Sequence, residues 1–126
     1  MRILLVEQDS RTAQALLEGL SWLFMIDVAD SGAQALEFLF RAAYDLIIMD
    51  TPLADSAGAE LYRQIHLIDQ TANVFVMLGS APTRDEDGLI AAGARQFITK
   101  PVQIEELGTR IQAVLTSSGT PTANQL

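Results

Sequence analysis

Short apolar runs alternate with amphipathic stretches along almost the whole chain. Three runs are rich in branched side chains and end at a polar residue or a glycine, at residues 3–6, 46–49 and 74–78. Runs of this length and composition are typical of strands that are buried on both faces of a sheet. Residues 24–29 and 95–99 are weaker strand candidates.

The stretches between these runs carry the spacing of one helix face, with apolar residues three and four positions apart. The first follows a candidate N-cap at Asp9 or Ser10, and the second is entered through Ser31 and Gly32. The five predicted helices are marked by residues 13–20, 35–39, 61–68, 84–92 and 103–115. Strand and helix therefore alternate five times, and this order requires a parallel sheet with right-handed crossovers and helices on both faces.

Length and composition agree with one compact α/β domain. The chain has 126 residues, of which 49% are hydrophobic and 19% charged, and this balance is typical of a globular protein. Residues 116–126 are polar and aperiodic, so we interpret residues 1–115 as the domain and residues 116–126 as a polar tail or linker. No apolar run approaches the ~18 residues of a membrane span, and the first run is too short for a signal peptide. We therefore expect a cytoplasmic protein without a membrane partner.

Charge and residue types exclude several classes of function. The formal net charge of −8 repels phosphate backbones, so we expect no direct binding of nucleic acid. The chain has no cysteine and one histidine, which excludes disulfides, thiolate catalysis and a cysteine-ligated zinc site.

Polar residues follow the predicted strands. Glu7 follows the first strand, Asp50 the third and Ser80 the fourth, while Lys100, the only lysine of the chain, follows the fifth. Taken singly, each of these residues is explained equally well as an ordinary strand end or a solvated surface charge. The carboxyl ends of parallel strands meet at one edge of a sheet, however, where doubly wound folds bind their ligands. The combination therefore indicates a functional site.

These residues resemble the receiver domain of two-component response regulators. The resemblance extends from residue 2 to about residue 115 and rests on the segments RILLVE (2–7), ADSGAQAL (29–36), YDLIIMD (44–50), AGA (92–94) and FITKP (97–101). It implies a flavodoxin-like, doubly wound sheet of five parallel strands in the order 2-1-3-4-5, with five helices. It also implies a switch in a phosphorelay that takes its phosphoryl group from a histidine kinase or phosphotransfer protein, and not a turnover enzyme.

The resemblance assigns the phosphoryl chemistry to particular residues. Asp50 stands in the place of the phosphoryl acceptor, and Lys100 in that of the lysine that contacts the phosphoryl oxygens. The peptide bond between Lys100 and Pro101 is then expected to be cis.

Two further residues match the family's switch positions. Ser80 best matches the hydroxyl residue that hydrogen-bonds the phosphoryl group, with Gly79 as a competing alignment. Phe97 takes the place of the switch aromatic.

The resemblance also implies Mg²⁺ as a cofactor, held by Glu7, Asp50 and the backbone carbonyl of Pro52. Gln8 stands where the family usually carries an aspartate that ligates the metal directly. Because Mg²⁺ sites rely on one or two protein carboxylates, an amide in this place is expected to weaken binding.

Departures from the family pattern keep a second interpretation open. Gln8, Ala54, where a proline is usual, and Ala57, where an aspartate is usual, favour a pseudo-receiver. Such a domain is a protein-interaction module that works without phosphorylation. Asp50 and Lys100, together with Ser80, favour a receiver that is phosphorylated.

The last helix is similar to those through which the receivers of winged-helix transcription factors dimerise. A homodimer through this helix is therefore an option. Arg95 and Gln96 replace the acidic residues that precede the switch aromatic in those relatives, so the usual ion pairs across the dimer are not expected to form unchanged.

Overall fold

The structure of the chain is a computed structural model, which describes residues 1–51, 53, 55, 57–79 and 84–119. Strands and helices alternate from one end of the described chain to the other. Their bounds are β1 Arg2–Val6, α1 Ser10–Leu20, β2 Met25–Ala29, α2 Gly32–Arg41, β3 Leu46–Asp50, α3 Gly58–Ile68, β4 Val74–Leu78, α4 Arg84–Ala92, β5 Gln96–Thr99 and α5 Ile104–Gly119.

The five strands form one sheet in the order β2-β1-β3-β4-β5, and every neighbouring pair is parallel. This confirms the predicted doubly wound sheet and its strand order. The carboxyl ends of all five strands therefore lie along one edge, where the residues after β1, β3 and β5 meet.

The sheet has a hydrophobic layer on each face, because alternate residues of a strand point to opposite sides. Leu4, Ile47 and Val76 belong to the layer under α2, α3 and α4. Phe75 and Ile48 belong to the layer that is completed by α1 and α5. Both faces are covered, which is why β1, β3 and β4 carry continuous apolar runs at residues 3–6, 46–49 and 74–78.

Helix α1 begins as the sequence predicts, with Asp9 as its N-cap. Ser31 caps α2, and its Oγ accepts a hydrogen bond of 3.1 Å from the backbone N–H of Gln34. Ala57 precedes α3 and provides no side-chain cap. A short polar side chain at an N-cap accepts a hydrogen bond from an N–H group of the first turn, which alanine cannot do.

Helix α5 continues beyond the residue at which the apolar pattern stops. It ends at Gly119, whereas the pattern predicted a polar tail from Thr116. Once a helix is established, each added residue gains a backbone hydrogen bond at little cost, so the helix can outlast its apolar face. Residues 120–126 lie outside the described residues, and the boundary between domain and tail stays a prediction.

Trp22 does not pack in the core, although it follows the apolar face of α1. Trp22 lies in the turn between α1 and β2, and 89% of its surface is exposed. Periodicity extends the apolar face of α1 as far as Leu20, which is buried, but the chain leaves the helix before Trp22 and turns its indole away from the core.

A close approach between α1 and α5 leads to a prediction on stability. A methyl group at Gly19 would lie 2.8 Å from two side-chain carbons of Ile104. Gly19→Ala should therefore lower the free energy of unfolding by about 1 kcal/mol, because overpacking outweighs the better helix propensity of alanine. At Gly108, in α5, no atom lies within 4 Å of such a methyl group.

Gly108→Ala is the matched control, since it makes the same change in a helix without the contact. It should raise the free energy of unfolding by up to about 1 kcal/mol. Urea denaturation of the wild type and both variants measures the two effects, and effects of the same sign would contradict the proposed contact between Gly19 and Ile104.

Candidate functional site

Two carboxyl groups are buried side by side at the carboxyl edge of the sheet. Glu7, directly after β1, is 2% exposed, and Asp50, the last residue of β3, is 5% exposed. Burial of a charge is costly unless a partner compensates it. Lys100 provides one, because its Nζ contacts Oδ1 of Asp50.

Lys100 reaches Asp50 from the far side of β4. It follows β5, and β4 lies between β5 and β3. The backbone N–H of Lys100 donates a hydrogen bond of 2.8 Å to the carbonyl of Leu78, the last residue of β4. This bond holds the backbone of Lys100 at the edge of the sheet. From there the long lysine side chain extends across β4 to Asp50. The peptide bond between Lys100 and Pro101 is cis, as predicted.

Glu7 has fewer partners than its burial requires. Its Oε2 accepts a hydrogen bond of 3.2 Å from the backbone N–H of Asp9. Within the described residues, no N–H or O–H group donates to its Oε1. Burial raises the pKa of Glu7 to about 7, and the neighbouring Asp50 carboxyl adds to the rise by a hydrogen bond and by charge repulsion. A proton or a bound cation would satisfy this oxygen.

The oxygen ligands at this edge of the sheet are of the kind that fits Mg²⁺. Glu7 and Asp50 offer buried carboxylate oxygens, which are the ligands that this ion prefers. Among the described residues, no group of three or more histidine, aspartate or glutamate side chains is placed to hold a metal ion. Gln8, the exposed residue beside Glu7, supplies no charge.

A buried hydroxyl next to Asp50 was not predicted from the sequence. Thr51 is 6% exposed, and its Oγ1 donates a hydrogen bond of 3.0 Å to the carbonyl of Met77 in β4. The bond ties the first residue of the loop after β3 to the neighbouring strand. A hydroxyl residue directly after a buried strand was the only indication in the sequence.

A second residue of this loop was also missed. Oδ1 of Asp55 accepts a hydrogen bond of 3.0 Å from the backbone N–H of Gly32, and Oδ2 accepts one of 3.0 Å from that of Ala33. Both N–H groups belong to the first turn of α2. Leu53, between Thr51 and Asp55, is buried in the core. The loop after β3 is thus attached to the rest of the fold at Thr51, Leu53 and Asp55.

Of the other predicted site residues, the structure describes Phe97 but not Pro52 or Ser80. Phe97 is half-buried in β5, and its carbonyl oxygen accepts a hydrogen bond of 3.0 Å from Arg110. Pro52, the predicted carbonyl ligand, and Ser80, the predicted switch hydroxyl, lie outside the described residues. The roles of these three residues stay predictions.

Comparison with known proteins agrees with this geometry. Residues 3–112 match the response regulator receiver domain. The chain is a member of the response regulator receiver domain family. Its sequence is 32% identical over 119 residues to the cell cycle response regulator CtrA of Brucella ovis, covering 94% of this chain and 51% of that protein.

Solved structures of receiver domains share the fold. The CheY-like receiver domain protein of Methanospirillum hungatei superimposes with a TM-score of 0.88 at 23% identity, covering 95% of this receiver domain and 97% of that chain. The receiver domain of the sensor histidine kinase PA1611 from Pseudomonas aeruginosa has a TM-score of 0.84 at 25% identity, covering 92% and 98% of the two chains. That structure holds a magnesium ion in its active site cleft.

This receiver domain spans about half the length of the curated relatives it matches. In the part of the chain that the structure describes, no helix has both the length and the apolar character needed to cross a membrane.

Proposed function

We propose that this receiver domain accepts a phosphoryl group on Asp50 from a histidine kinase or phosphotransfer protein and thereby acts as a switch. The supporting observation is the contact between the buried Asp50 and Lys100, the only lysine of the chain. A carboxylate oxygen of Asp50 attacks the phosphorus of a phosphohistidine. The new O–P bond forms as the P–N bond breaks, which leaves an acyl phosphate on Asp50 and returns the imidazole to the donor.

The residues around Asp50 suit this reaction. Lys100 holds a positive charge against the acceptor carboxylate, where it can pair with phosphoryl oxygens during transfer. Ser80 and Phe97 are the proposed switch residues that respond to the phosphorylated state. Because the product remains on the protein, the domain works as a phosphoryl acceptor and not as a turnover enzyme.

Mg²⁺ is the proposed cofactor, held by Glu7 and Asp50 with the backbone carbonyl of Pro52. When bound, the ion would offset the negative charge of the transferring group. The orphaned Oε1 of Glu7 and the magnesium ion in the PA1611 receiver support this proposal. Gln8 brings no charge, and we therefore expect weaker binding than in relatives with an acidic pair.

The proposed setting is the cytoplasm, with a kinase or phosphotransfer protein as partner, a homodimer through α5 as an option, and no direct contact with nucleic acid.

The alternative function is a pseudo-receiver that binds other proteins without phosphorylation. The residues that favour it are Gln8, which brings no charge beside Glu7, and Ala57, which stands where the family usually carries an aspartate.

Incubation with acetyl phosphate and Mg²⁺, or with a cognate kinase, tests the proposal. The wild type should gain one phosphoryl group by mass spectrometry, and Asp50→Asn should gain none, because an amide is not a nucleophile of this kind. Asp87→Asn, which changes an exposed aspartate of α4, is the matched control and should be labelled like the wild type.

Beryllofluoride, a phosphoryl mimic, separates the two functions in a second measurement. With Mg²⁺ present, a change in the NMR signals near Phe97 would support the phosphorylated receiver. Label that persists in Asp50→Asn would show that another residue is the acceptor, and the absence of both label and spectral change at high Mg²⁺ would favour the pseudo-receiver.

A further inference from the structure

The carboxylate of Asp55 joins two elements that are distant in sequence. It accepts the backbone N–H groups of Gly32 and Ala33, both at 3.0 Å, across 23 and 22 positions of the chain. A carboxylate at the positive end of a helix is favourable, and two bonds at once orient both the side chain and the backbone that carries it. The loop after β3 is thereby attached to the first turn of α2.

Helix α2 does not need Asp55 in order to begin. Ser31 already occupies the N-cap and accepts the N–H of Gln34 at 3.1 Å, while the side chain of Gln34 accepts the N–H of Asp30 at 2.7 Å. The helix therefore has a local cap at Gln34, while the N–H groups of Gly32 and Ala33 are the ones that Asp55 accepts. What Asp55 adds is the connection to the loop.

The loop after β3 is attached to the rest of the fold by residues at both of its ends. Ala57, directly before α3, provides no side-chain cap to that helix. Thr51 and Leu53 hold the near end of the loop. Asp55 is the attachment closest to α3 in the described part of the loop.

We propose that Asp55 is a positioning residue for the acceptor site, holding the loop after Asp50 against the start of α2. This inference rests on the proposed function, because the same loop begins at Asp50 and includes Pro52, the proposed carbonyl ligand of Mg²⁺. Asp55 touches neither the phosphoryl group nor the metal. It acts by limiting the backbone positions of the loop.

The experiment compares Asp55→Ala with Ser31→Ala, which removes a hydrogen bond from the same helix end without touching the loop. Amide NMR without metal gives the first measurement. Asp55→Ala should shift the signals of Thr51 and Leu53 and speed hydrogen exchange at Gly32 and Ala33 about tenfold. Ser31→Ala should leave Thr51 and Leu53 unchanged. Unchanged loop signals in Asp55→Ala would overturn the inference, whatever the state of phosphorylation.

Mg²⁺ affinity and the rate of phosphorylation by acetyl phosphate give the second measurement. Asp55→Ala should weaken Mg²⁺ binding about fivefold to tenfold and slow phosphorylation, whereas Ser31→Ala should stay within twofold of the wild type. Equal values for Asp55→Ala and Ser31→Ala would contradict a positioning role.

Asp55→Asn separates position from charge. Asparagine keeps one acceptor oxygen but loses the negative charge, so its Mg²⁺ affinity should lie between those of the wild type and Asp55→Ala. Equal loss in the asparagine and alanine variants would mean that Asp55 acts on the metal through its charge alone. A wild type that takes up no phosphoryl group would contradict the proposed function, and the NMR comparison would still decide on the role of Asp55.

Discussion

Glu7→Gln should make the receiver domain markedly more stable at alkaline pH than the wild type when no metal is present. Burial and the neighbouring Asp50 raise the pKa of Glu7 to about 7, from an ordinary value of 4.5. The folded state therefore holds a proton on Glu7 that the unfolded state releases more easily. The stabilisation from this proton is complete below about pH 4.5 and is lost as the pH rises through about 7.

The size of this effect follows from the difference between the two pKa values, which corresponds to about 3 kcal/mol. The amide that replaces the Glu7 carboxyl never ionises, and its NH₂ group can donate to Asp50 as the protonated carboxyl does. The difference in the free energy of unfolding between Glu7→Gln and the wild type should therefore rise by about 2 to 3 kcal/mol from pH 5 to pH 8. Urea denaturation in the presence of a chelator measures it.

Glu18→Gln serves as the control for the loss of one carboxylate. Glu18 lies on the exposed face of α1, where its Oε1 accepts a hydrogen bond from Gln14, and glutamine keeps that acceptor. This variant should follow the pH dependence of the wild type. Parallel stability curves for the wild type and Glu7→Gln between pH 5 and pH 8 would show that Glu7 does not hold a proton in the fold.

Gln8→Asp should tighten Mg²⁺ binding by at least about tenfold, or about 1.4 kcal/mol. A unit charge pair at ~4 Å is worth roughly 4 kcal/mol at an effective dielectric constant of ~20, and Mg²⁺ carries two charges. Much of this attraction is offset because the free carboxylate is hydrated. A tenfold gain in affinity therefore uses only a small part of the Coulomb energy. The same variant should speed phosphorylation of Asp50, since a better-held metal offsets more charge in the transition state.

A cost should accompany this gain. A third carboxylate beside the buried Glu7 and Asp50 adds charge repulsion, so Gln8→Asp should be slightly less stable than the wild type without Mg²⁺. Calorimetric titration measures the affinities. Gln112→Glu adds the same charge on an exposed position of α5 and should bind Mg²⁺ within twofold of the wild type. Equal affinities for Gln8→Asp and the wild type would show that position 8 is not a ligand position.

The fold and the three charged residues of the site could be predicted from the sequence. The apolar runs of β1, β3 and β4 indicate strands buried on both faces, and strand–helix alternation restricts them to a parallel sheet. In such a sheet the residues that follow the strands share one edge. Glu7, Asp50 and Lys100 could therefore be placed together, because this conclusion depends on strand direction and not on side-chain detail.

Attachments between elements depend on tertiary structure. Asp55 is an ordinary loop aspartate in the sequence, and only the packing of α2 against α3 brings it to the N–H groups of Gly32 and Ala33. The bond from Thr51 to the carbonyl of Met77 likewise depends on the register between β3 and β4. Local patterns report which face of an element is buried, but they do not report which polar group of another element lies opposite.

The pKa of Glu7 and the position of Trp22 depend on which side chains the fold buries. The raised pKa of Glu7 requires both its removal from water and the nearness of Asp50, and the sequence shows only that each residue follows a strand. Trp22 is exposed although it follows the apolar face of α1. The sequence by itself therefore determined the order of strands and helices and the edge at which the charges meet. The tertiary structure decided how deeply those charges are buried and which hydrogen bonds hold the loop after β3. Solvent exclusion and long-range hydrogen bonds arise only when separate elements pack together.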